Sequence, residues 1–191
     1  NLTAITEPED VAKKHFLDSL AAAPYLKANA AVADVGTGAG FPGLPLLILR
    51  PDLKLTLIDS LQKRLVFLEA VLKELKLSAE LVHARAEDAG QNPKYREKFD
   101  VALTRAVSGL PVLCELTLPL VKVGGVSIAY KGDSAEELLA SKNALSVLHA
   151  TAERVIVPAD YGARELVILT KTGTTSKQYP RKAGTPAKNP L

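Results

Sequence analysis

A carboxylate followed by closely spaced glycines occupies residues 34–43, which read Asp-Val-Gly-Thr-Gly-Ala-Gly-Phe-Pro-Gly. Glycine lacks a Cβ, so the backbone there can approach a ligand closely and adopt positive φ angles. Small and β-branched residues begin at Ala31, and an apolar run follows at 44–49, which predicts a buried strand, a loop and a helix. The first turn of such a helix offers unpaired N–H groups. These residues therefore predict a nucleotide-binding turn.

Two ligands fit this loop in different frames. Gly38, Gly40 and Gly43 satisfy the G-x-G-x-x-G spacing of dinucleotide binders, in which the helix N-terminus holds a pyrophosphate. Read from Asp34, the acid followed by Gly36, Gly38 and Gly40 resembles the first motif of class I methyltransferases, which bind S-adenosylmethionine. A carboxylate repels a pyrophosphate and attracts the ammonium of a methionine moiety, so Asp34 favours the methyl donor. A glycine-rich turn without a ligand is the third alternative.

The elements around this loop alternate between strands and helices, which is typical of a parallel α/β sheet. We predict strands at 31–36, 53–58, 80–83, 99–103, 126–130, 154–157 and 165–170. Helices are predicted from 44, over 60–75, over 110–121 and over 134–148. The last two strands are expected to form a hairpin-like edge. The prediction is a doubly wound, Rossmann-like sheet of seven strands with a reversed final strand, over residues 31–171.

A helical extension is predicted before the sheet, over residues 1–30. Thr6-Glu-Pro-Glu is a capping box with Pro8 in the first turn, so a helix is expected to begin there. Val11, Phe16 and Leu20 could pack that helix on the core. The chain contains no Met, so we expect translation to start upstream of Asn1.

In a doubly wound sheet, ligands lie beyond the carboxyl ends of the strands. Asp59 ends the second predicted strand, 23 positions after Gly36. That spacing is close to the roughly 20 expected of an acid that binds ribose hydroxyls. Asp59 could also cap the next helix, and the two roles are compatible.

Two further strand ends carry candidate site residues. Ala86 and Glu87 follow the third strand, where an adenine edge could be read by hydrogen bonds, although Glu87 could instead be a first-turn helix acid. Arg105 follows the fourth strand. A cation directly beside a sulfonium would be costly, so we expect Arg105 to hold a carboxylate, a phosphate or the target base, with a surface ion pair as the alternative.

Composition bounds the class of protein. A chain of 191 residues with 47% hydrophobic content fits one domain with a sizeable core, and the net charge of +3 says little about nucleic acid. No apolar run approaches the roughly 20 residues that span a bilayer, and the first segment lacks the apolar region of a secretory signal. Cys114 is the only cysteine, which suits a reducing compartment. We therefore expect a cytoplasmic protein without a membrane segment.

Several catalytic motifs are absent from the sequence. No Asn-Pro-Pro-aromatic run, which serves exocyclic amines, follows the fourth strand. No cysteine is placed to attack pyrimidine C6, and no His/Cys cluster has metal-ligand spacing, so no metal is expected. A methyl acceptor that needs neither nucleophile nor metal is favoured, and guanine N7 is one because its lone pair is free. Positioning in line with the methyl group could then suffice.

The tail over residues 172–191 differs in composition from the rest of the chain. It holds three prolines, no acid and the cations Lys177, Arg181, Lys182 and Lys188. Such a segment cannot build its own core and should lie on a surface or be mobile. It could be a solvated terminus or an arm that contacts phosphates, and composition alone does not decide.

Distinctive segments stand in a recognisable order along nearly the whole chain. They include residues 1–5, 15–20, 34–45, 57–65, 85–87, 99–100, 105–107, 131–132 and 179–184. Gly-Phe-Pro-Gly at 40–43 and Tyr-Pro-Arg-Lys at 179–182 are the most specific. The chain resembles the bacterial small-subunit ribosomal RNA methyltransferase G family, also called glucose-inhibited division protein B.

The resemblance implies transfer of a methyl group from S-adenosylmethionine to N7 of guanine 527 in 16S ribosomal RNA, in the small ribosomal subunit. It implies a donor site bordered by the residues Asp34, Gly36, Gly38, Phe41, Asp59, Ser60, Leu61, Ala86 and Glu87, with Arg105 closing the site and positioning the reactants. It also implies that the tail contacts RNA through Arg181 and Lys182. Further contributors on the acceptor side would be His15, Asp18, Lys63, Arg64 and Lys131.

Two other functions fit the residues. A nicotinamide-dependent oxidoreductase would use the frame from Gly38 to Gly43, and its cofactor absorbance would reveal it. A noncatalytic RNA-binding protein with a retained nucleoside fold would bind RNA without using a methyl donor. For the favoured function we expect a monomer to act.

Overall fold

A computed structural model describes residues 7–191 of the chain. Its seven strands form one sheet in the order β3-β2-β1-β4-β5-β7-β6. The strands are β1 (Ala31–Val35), β2 (Lys54–Asp59), β3 (Glu80–His83), β4 (Phe99–Arg105), β5 (Val121–Lys131), β6 (Ala150–Ile156) and β7 (Glu165–Lys171). The first five are parallel, and β7 runs antiparallel to β5 and β6. The predicted doubly wound sheet with a reversed final strand is confirmed.

Helices cover both faces of this sheet. They are α1 (Pro8–Val11), α2 (Gly43–Leu49), α3 (Gln62–Leu75), α4 (Ala86–Gln91), α5 (Leu110–Thr117), α6 (Ala135–Ala140), α7 (Lys142–Val147) and α8 (Thr185–Lys188). One apolar cluster joins α2 and α3 to strands β1, β2 and β4, and another joins α5 and α7 to β5 and β7. The central strands β1, β2 and β4 are therefore buried on both sides, which leaves their carboxyl ends as the accessible edge.

Two predicted helices differ in extent from the observed ones. The helix predicted over 110–121 ends at Thr117, and β5 already begins at Val121. The pairing with β4 shifts register before Val126, because Gly124 has a φ of +81° and Gly125 lies against the Asp100 carbonyl, where a Cβ would be only 2.6 Å away. The helix predicted over 134–148 is interrupted at Ser141, whose hydroxyl donates to the Glu137 carbonyl.

The segment before the sheet is helical, as predicted. After α1, Ala12–Leu17 forms a π-helical turn and Leu20–Tyr25 a 3-10 helix. Thr6 of the predicted capping box lies outside the described residues, and Pro8 occupies the first helical position. Leu20 packs on the core as expected, but Phe16 does not, because its side chain is 45% exposed and its ring meets Phe41 edge-on.

Candidate active site

The glycine loop is organised from beneath by Asp34. Its side chain is fully buried, and Oδ2 accepts hydrogen bonds from the Thr37 hydroxyl at 2.8 Å and the Gly43 N–H at 2.9 Å. A Cβ on Gly43 would stand 2.7 Å from that oxygen, so only glycine permits α2 to begin there. Burial raises the pKa of the Asp34 carboxyl to about 6. Asp34 therefore shapes the loop that would hold a ligand.

Asp59 fixes the same loop from the end of β2. Its Oδ2 accepts the Gly38 N–H at 3.0 Å, and its Oδ1 accepts the Leu61 N–H at 2.9 Å. The Arg64 guanidinium donates to Oδ2 at 3.1 Å from an exposed position on α3. The predicted capping role is not observed, because Leu61 occupies the N-cap of α3 and Asp59 binds the N–H of that residue instead of an N–H inside the helix.

A cavity of about 340 Å³ opens beside Asp59, and we call it the nucleoside cavity. Its apolar walls come from both sides of the sheet edge, including Ile58 and Val112, and its polar rim holds Asp59, Ser60 and Glu87. The C-terminal tail contributes the remaining wall through Gly184 and Ala187. An apolar cavity with a few polar groups at its rim is typical of small-molecule sites, and the ribose role predicted for Asp59 gives this one its name.

A second cavity of about 560 Å³ lies on the other side of the glycine loop, and we call it the basic cavity. Gly36, Arg64 and Ala106 line both cavities, so the two adjoin there. Five cationic side chains line it, against the two carboxylates Asp18 and Glu165; the cations are Lys14, Arg64, Arg105, Lys131 and Arg164. Each of the five is paired with a carboxylate, and the partners Asp10, Asp59 and Glu137 lie outside the lining. The lining itself therefore carries more cations than carboxylates.

Arg105 holds the N-terminal helical segment over the basic cavity. Its Nη1 donates to the Lys14 carbonyl and to Asp18 Oδ2, each at 3.1 Å, and its Nη2 lies 3.2 Å from His15 Nδ1. The guanidinium also lies 5.2 Å from the centre of the Phe41 ring. The carboxylate predicted for Arg105 is thus supplied by the chain itself.

His15 and Phe41 form a stacked pair at the mouth of this cavity, with ring centres 4.9 Å apart. A guanidinium has no acceptor, so His15 Nδ1 must accept and the neutral ring carries its proton on Nε2. Burial, together with the Arg105 charge, lowers the pKa of His15 from its usual 6.5. The ring is therefore neutral at pH 7.

The predicted site residues line the nucleoside cavity, the basic cavity or neither, and Gly36 and Arg64 line both cavities. Those that line the nucleoside cavity are Gly36, Asp59, Ser60, Arg64, Ala86 and Glu87. Those that line the basic cavity are His15, Asp18, Gly36, Gly38, Phe41, Arg64, Arg105 and Lys131. Those that line neither are Asp34, Leu61, Lys63, Arg181 and Lys182.

Three placements depart from the prediction for physical reasons. Asp34 is buried beneath the loop and is not exposed to a ligand's ammonium. Leu61 offers its N–H to Asp59 while its side chain is 42% exposed. The guanidinium of Arg181, predicted to face RNA, is paired with the buried Glu115 at 2.6 Å.

Sequence reasoning missed Arg164 and the tail residues Gly184 and Ala187. Arg164 lines the basic cavity and its Nε lies 3.3 Å from Asp18 Oδ1. It precedes β7, and the amino end of a reversed strand lies at the same edge as the carboxyl ends of its parallel neighbours. The predicted reversal of the final strand was therefore a signal for Arg164. Nothing in the tail's composition indicated that it lines a cavity.

Over residues 7–191, no helix is long and apolar enough to cross a membrane. The same residues contain no group of three or more His, Cys, Asp or Glu side chains that could hold a metal ion.

Solved structures share this fold. A methyltransferase dependent on S-adenosylmethionine from Aquifex aeolicus matches with a TM-score of 0.62 and 17% identity, over 85% of this chain and 93% of that one. An rRNA methylase from Streptococcus thermophilus matches with a TM-score of 0.57 and 21% identity, over 90% and 100%. The architecture is that of the class I methyltransferases dependent on S-adenosylmethionine.

Sequence comparison gives the family. The model described as GidB, rRNA small subunit methyltransferase G, matches residues 1–167. A relative of that name from Desulfitobacterium hafniense (strain Y51) is 52% identical over all of this chain and 82% of its own length. Another from Leuconostoc mesenteroides is 51% identical, over 100% and 83%. The chain belongs to the rRNA small subunit methyltransferase G family, which confirms the resemblance and favours the methyl-donor frame of the glycine loop.

Proposed function

We propose that this chain transfers a methyl group from S-adenosylmethionine to N7 of guanine 527 in 16S ribosomal RNA of the small subunit. One observation carries the proposal: a nucleoside cavity and a basic cavity adjoin at Gly36 in a member of this family. A donor nucleoside and a nucleic-acid acceptor need two such sites in contact.

The residues of the nucleoside cavity suit the adenosyl part of the donor. Asp59 accepts hydrogen bonds from Gly38, from Leu61 and, on both oxygens, from Arg64, so its roughly four acceptor positions are engaged. A ribose hydroxyl would therefore bind Asp59 by replacing the Arg64 guanidinium. Apolar walls that include Ile58 can bury an adenine, and the rim offers hydrogen bonds to its edge. The loop at Gly36 is the passage by which the rest of the donor would reach the basic cavity.

Methyl transfer to guanine N7 requires the protein mainly to orient the donor and the acceptor. When bound, S-adenosylmethionine supplies an electrophilic methyl group, and the N7 lone pair carries no proton to be removed. No described residue needs to act as a general base. The contribution of this chain is to hold the acceptor in line and exclude water, which can account for a large part of the rate.

The basic cavity supports an RNA acceptor. Its five cations can neutralise phosphates near the target nucleotide. The Phe41 and His15 rings offer an aromatic surface, and stacking on such a surface contributes about 1–3 kcal/mol per base. Arg105 touches both the Phe41 ring and the N-terminal segment, so it would position an acceptor base between them.

We further propose that a monomer carries out this reaction in the cytoplasm. Residues of a single chain line both cavities, which supports this proposal. The substrate of the proposed reaction, the small ribosomal subunit, is found there.

The direct test is methyl transfer from labelled S-adenosylmethionine to small subunits that lack the modification, followed by mapping of the labelled nucleotide. The wild-type chain should label a single guanine at N7, and Arg105→Ala should label it far less. Arg50→Ala is the matched control, because Arg50 pairs with Asp52 and lines neither cavity.

Two negative outcomes would be informative. Donor binding without label on the subunit would mean that the acceptor is wrong. If the chain does not bind S-adenosylmethionine but binds a reduced nicotinamide dinucleotide, the glycine loop is a dinucleotide site and the oxidoreductase alternative is favoured.

A further inference from the structure

The C-terminal tail is fastened to the surface of the protein, which is one of the two states that its composition allows. The Arg96 guanidinium donates to the tail carbonyls of Thr175, Ser176 and Tyr179 at 2.7–3.0 Å. The Gln91 amide donates to Pro180 at 2.7 Å. Because each of these carbonyls accepts a hydrogen bond from a fixed side chain, the tail follows a defined path beside α4.

The strongest attachment is an ion pair between Arg181 and Glu115. Glu115 lies on α5 with its side chain fully buried. The Arg181 Nε donates to both carboxylate oxygens at 2.9 and 3.1 Å, Nη2 donates at 2.6 Å, and the Arg181 N–H donates at 2.7 Å. Nη2 also donates to the Asn189 carbonyl at 2.8 Å. Several donors of Arg181 are thus engaged inside the protein.

Just beyond this ion pair, the tail reaches the nucleoside cavity. The Gly184 N–H donates to Glu87 Oε1 at 2.8 Å, and Glu87 lies on the rim of that cavity. Gly184 has a φ of +83°, a conformation that glycine adopts without strain and that turns the chain into α8. Gly184 and Ala187 then line the cavity, and Pro186 is buried behind them. The tail bridges α4 and α5, the two helices that border this cavity.

We infer that Arg181 is a positioning residue for the nucleoside cavity: by pairing with Glu115, it holds residues 184–187 in place as a wall against the donor nucleoside. The inference rests on the proposed function only in naming S-adenosylmethionine as the donor. It replaces the expectation that Arg181 contacts RNA, because its guanidinium is turned toward a buried carboxylate and away from both cavities. Lys182, which is exposed like Lys177 and Lys188, is the predicted RNA contact of the tail that stays available to RNA.

The test compares binding of S-adenosylhomocysteine, by calorimetry, to the wild type and three variants of the full chain. Arg181→Lys keeps the charge but loses the planar fork, and we expect binding about 3- to 30-fold weaker. Ala187→Phe keeps the ion pair and places a ring in the cavity wall, so it should weaken binding as well. Lys182→Ala should bind like the wild type.

A second measurement needs no ligand. Hydrogen exchange at the Gly184 amide should be protected in the wild type by the bond to Glu87 and should quicken in Arg181→Lys. Amides of β1 are followed in the same experiment, since a loss of global stability alone would quicken exchange across the core, whereas loss of the tail attachment would quicken it at Gly184 alone. Ala187→Phe carries the test if Arg181→Lys does not fold.

The outcomes separate the two proposals. If the wild type fails to bind S-adenosylhomocysteine, the proposed donor is wrong, and Gly184 exchange still decides whether Arg181 positions the tail. If Arg181→Lys binds S-adenosylhomocysteine as the wild type does, with unchanged Gly184 exchange, the inference is overturned. If that variant also binds 16S RNA more weakly than the wild type, the result would indicate that Arg181 contacts RNA.

Discussion

Two segments outside the sheet, one at each end of the described chain, are each held by an arginine and a carboxylate. At the N-terminal end, Arg105 of β4 holds Asp18. At the C-terminal end, Arg181 of the tail holds Glu115 of α5. The first pair lies within the lining of the basic cavity, whereas the second lies behind the nucleoside cavity and lines neither.

The two arginine–carboxylate pairs therefore have different roles. Arg105 shares its donors among a carboxylate, a carbonyl and a neutral histidine, and it faces a cavity that a substrate can enter. Arg181 gives most of its donors to one buried carboxylate. Replacing Arg105 should therefore change catalysis more than stability, and replacing Arg181 should change stability and donor affinity more than acceptor affinity.

The largest effect is expected for Arg105→Ala. Loss of the guanidinium frees the N-terminal segment and removes the group above Phe41, so kcat/KM for methyl transfer should fall by about 100-fold or more, as misplacement in active sites does. Steady-state kinetics on small subunits measures it. Comparable activity in Arg105→Ala and the wild type would remove the distinction between the two arginines.

Arg181→Ala should have the largest effect on folding. It leaves Glu115 buried without its partner, and because Arg181 is partly exposed, the expected loss is about 2–3 kcal/mol in the free energy of unfolding, below the roughly 3–5 of a fully buried pair. Urea denaturation measures it. Lys94→Ala, which breaks an exposed pair with Glu80, is the control and should cost less than about 1 kcal/mol.

A smaller effect is expected from pH, and only at the N-terminal pair. When the N-terminal helical segment lies on Arg105, the pKa of His15 is lower than its usual 6.5. The released segment therefore binds a proton more readily than the bound one. Attachment of the segment weakens as the pH falls below 6.5 toward the lower pKa of the bound state. Among the described residues, Arg105 and Asp18 are charged groups that act on His15, and Arg105 lowers its pKa whereas Asp18 raises it. Methyl transfer should fall by about two- to fivefold between pH 7.5 and 5.5.

His15→Asn offers an acceptor to Arg105 without a titration near neutrality. Its activity should therefore be flatter over the same pH range, whereas binding of S-adenosylhomocysteine at the nucleoside cavity should not follow the titration of His15 in either protein. An equal pH dependence in the two proteins would exclude His15 as its source.

The smallest effect is expected for Lys182→Ala. An exposed cation that contacts phosphate adds to RNA affinity through counterion release, so the slope of log affinity against log salt should drop by about one and the affinity by a few fold. Filter binding of 16S RNA at several salt concentrations measures it. An unchanged slope would mean that the tail makes no phosphate contact through Lys182.

The sheet, its reversed final strand and the residues at strand ends could be predicted because they follow from local patterns. Asp59, Ala86 and Glu87 come together since parallel strands share one carboxyl edge. The two arginine pairs could not be predicted, because Arg105 and Asp18 are separated by 87 positions and Arg181 and Glu115 by 66, with no periodic signal joining them.

The sequence also could not predict which charged side chains are buried. Lys171 reads as an ordinary end of a strand, yet its side chain is fully buried and its ammonium donates to Glu97 and to the carbonyls of Leu118 and Val121. Those carbonyls are exposed to it only because α5 ends at Thr117 and not near 121. Helix ends set by such tertiary contacts are beyond single-sequence patterns.

The central claim is that the donor nucleoside occupies the nucleoside cavity and the basic cavity is left to the acceptor. A crystal structure of the full chain with S-adenosylhomocysteine tests it most directly. We predict that the ribose hydroxyls lie on Asp59 and the adenine lies against the wall formed by Gly184 and Ala187. An adenosyl group found in the basic cavity, among His15, Phe41 and Arg105, would contradict the account.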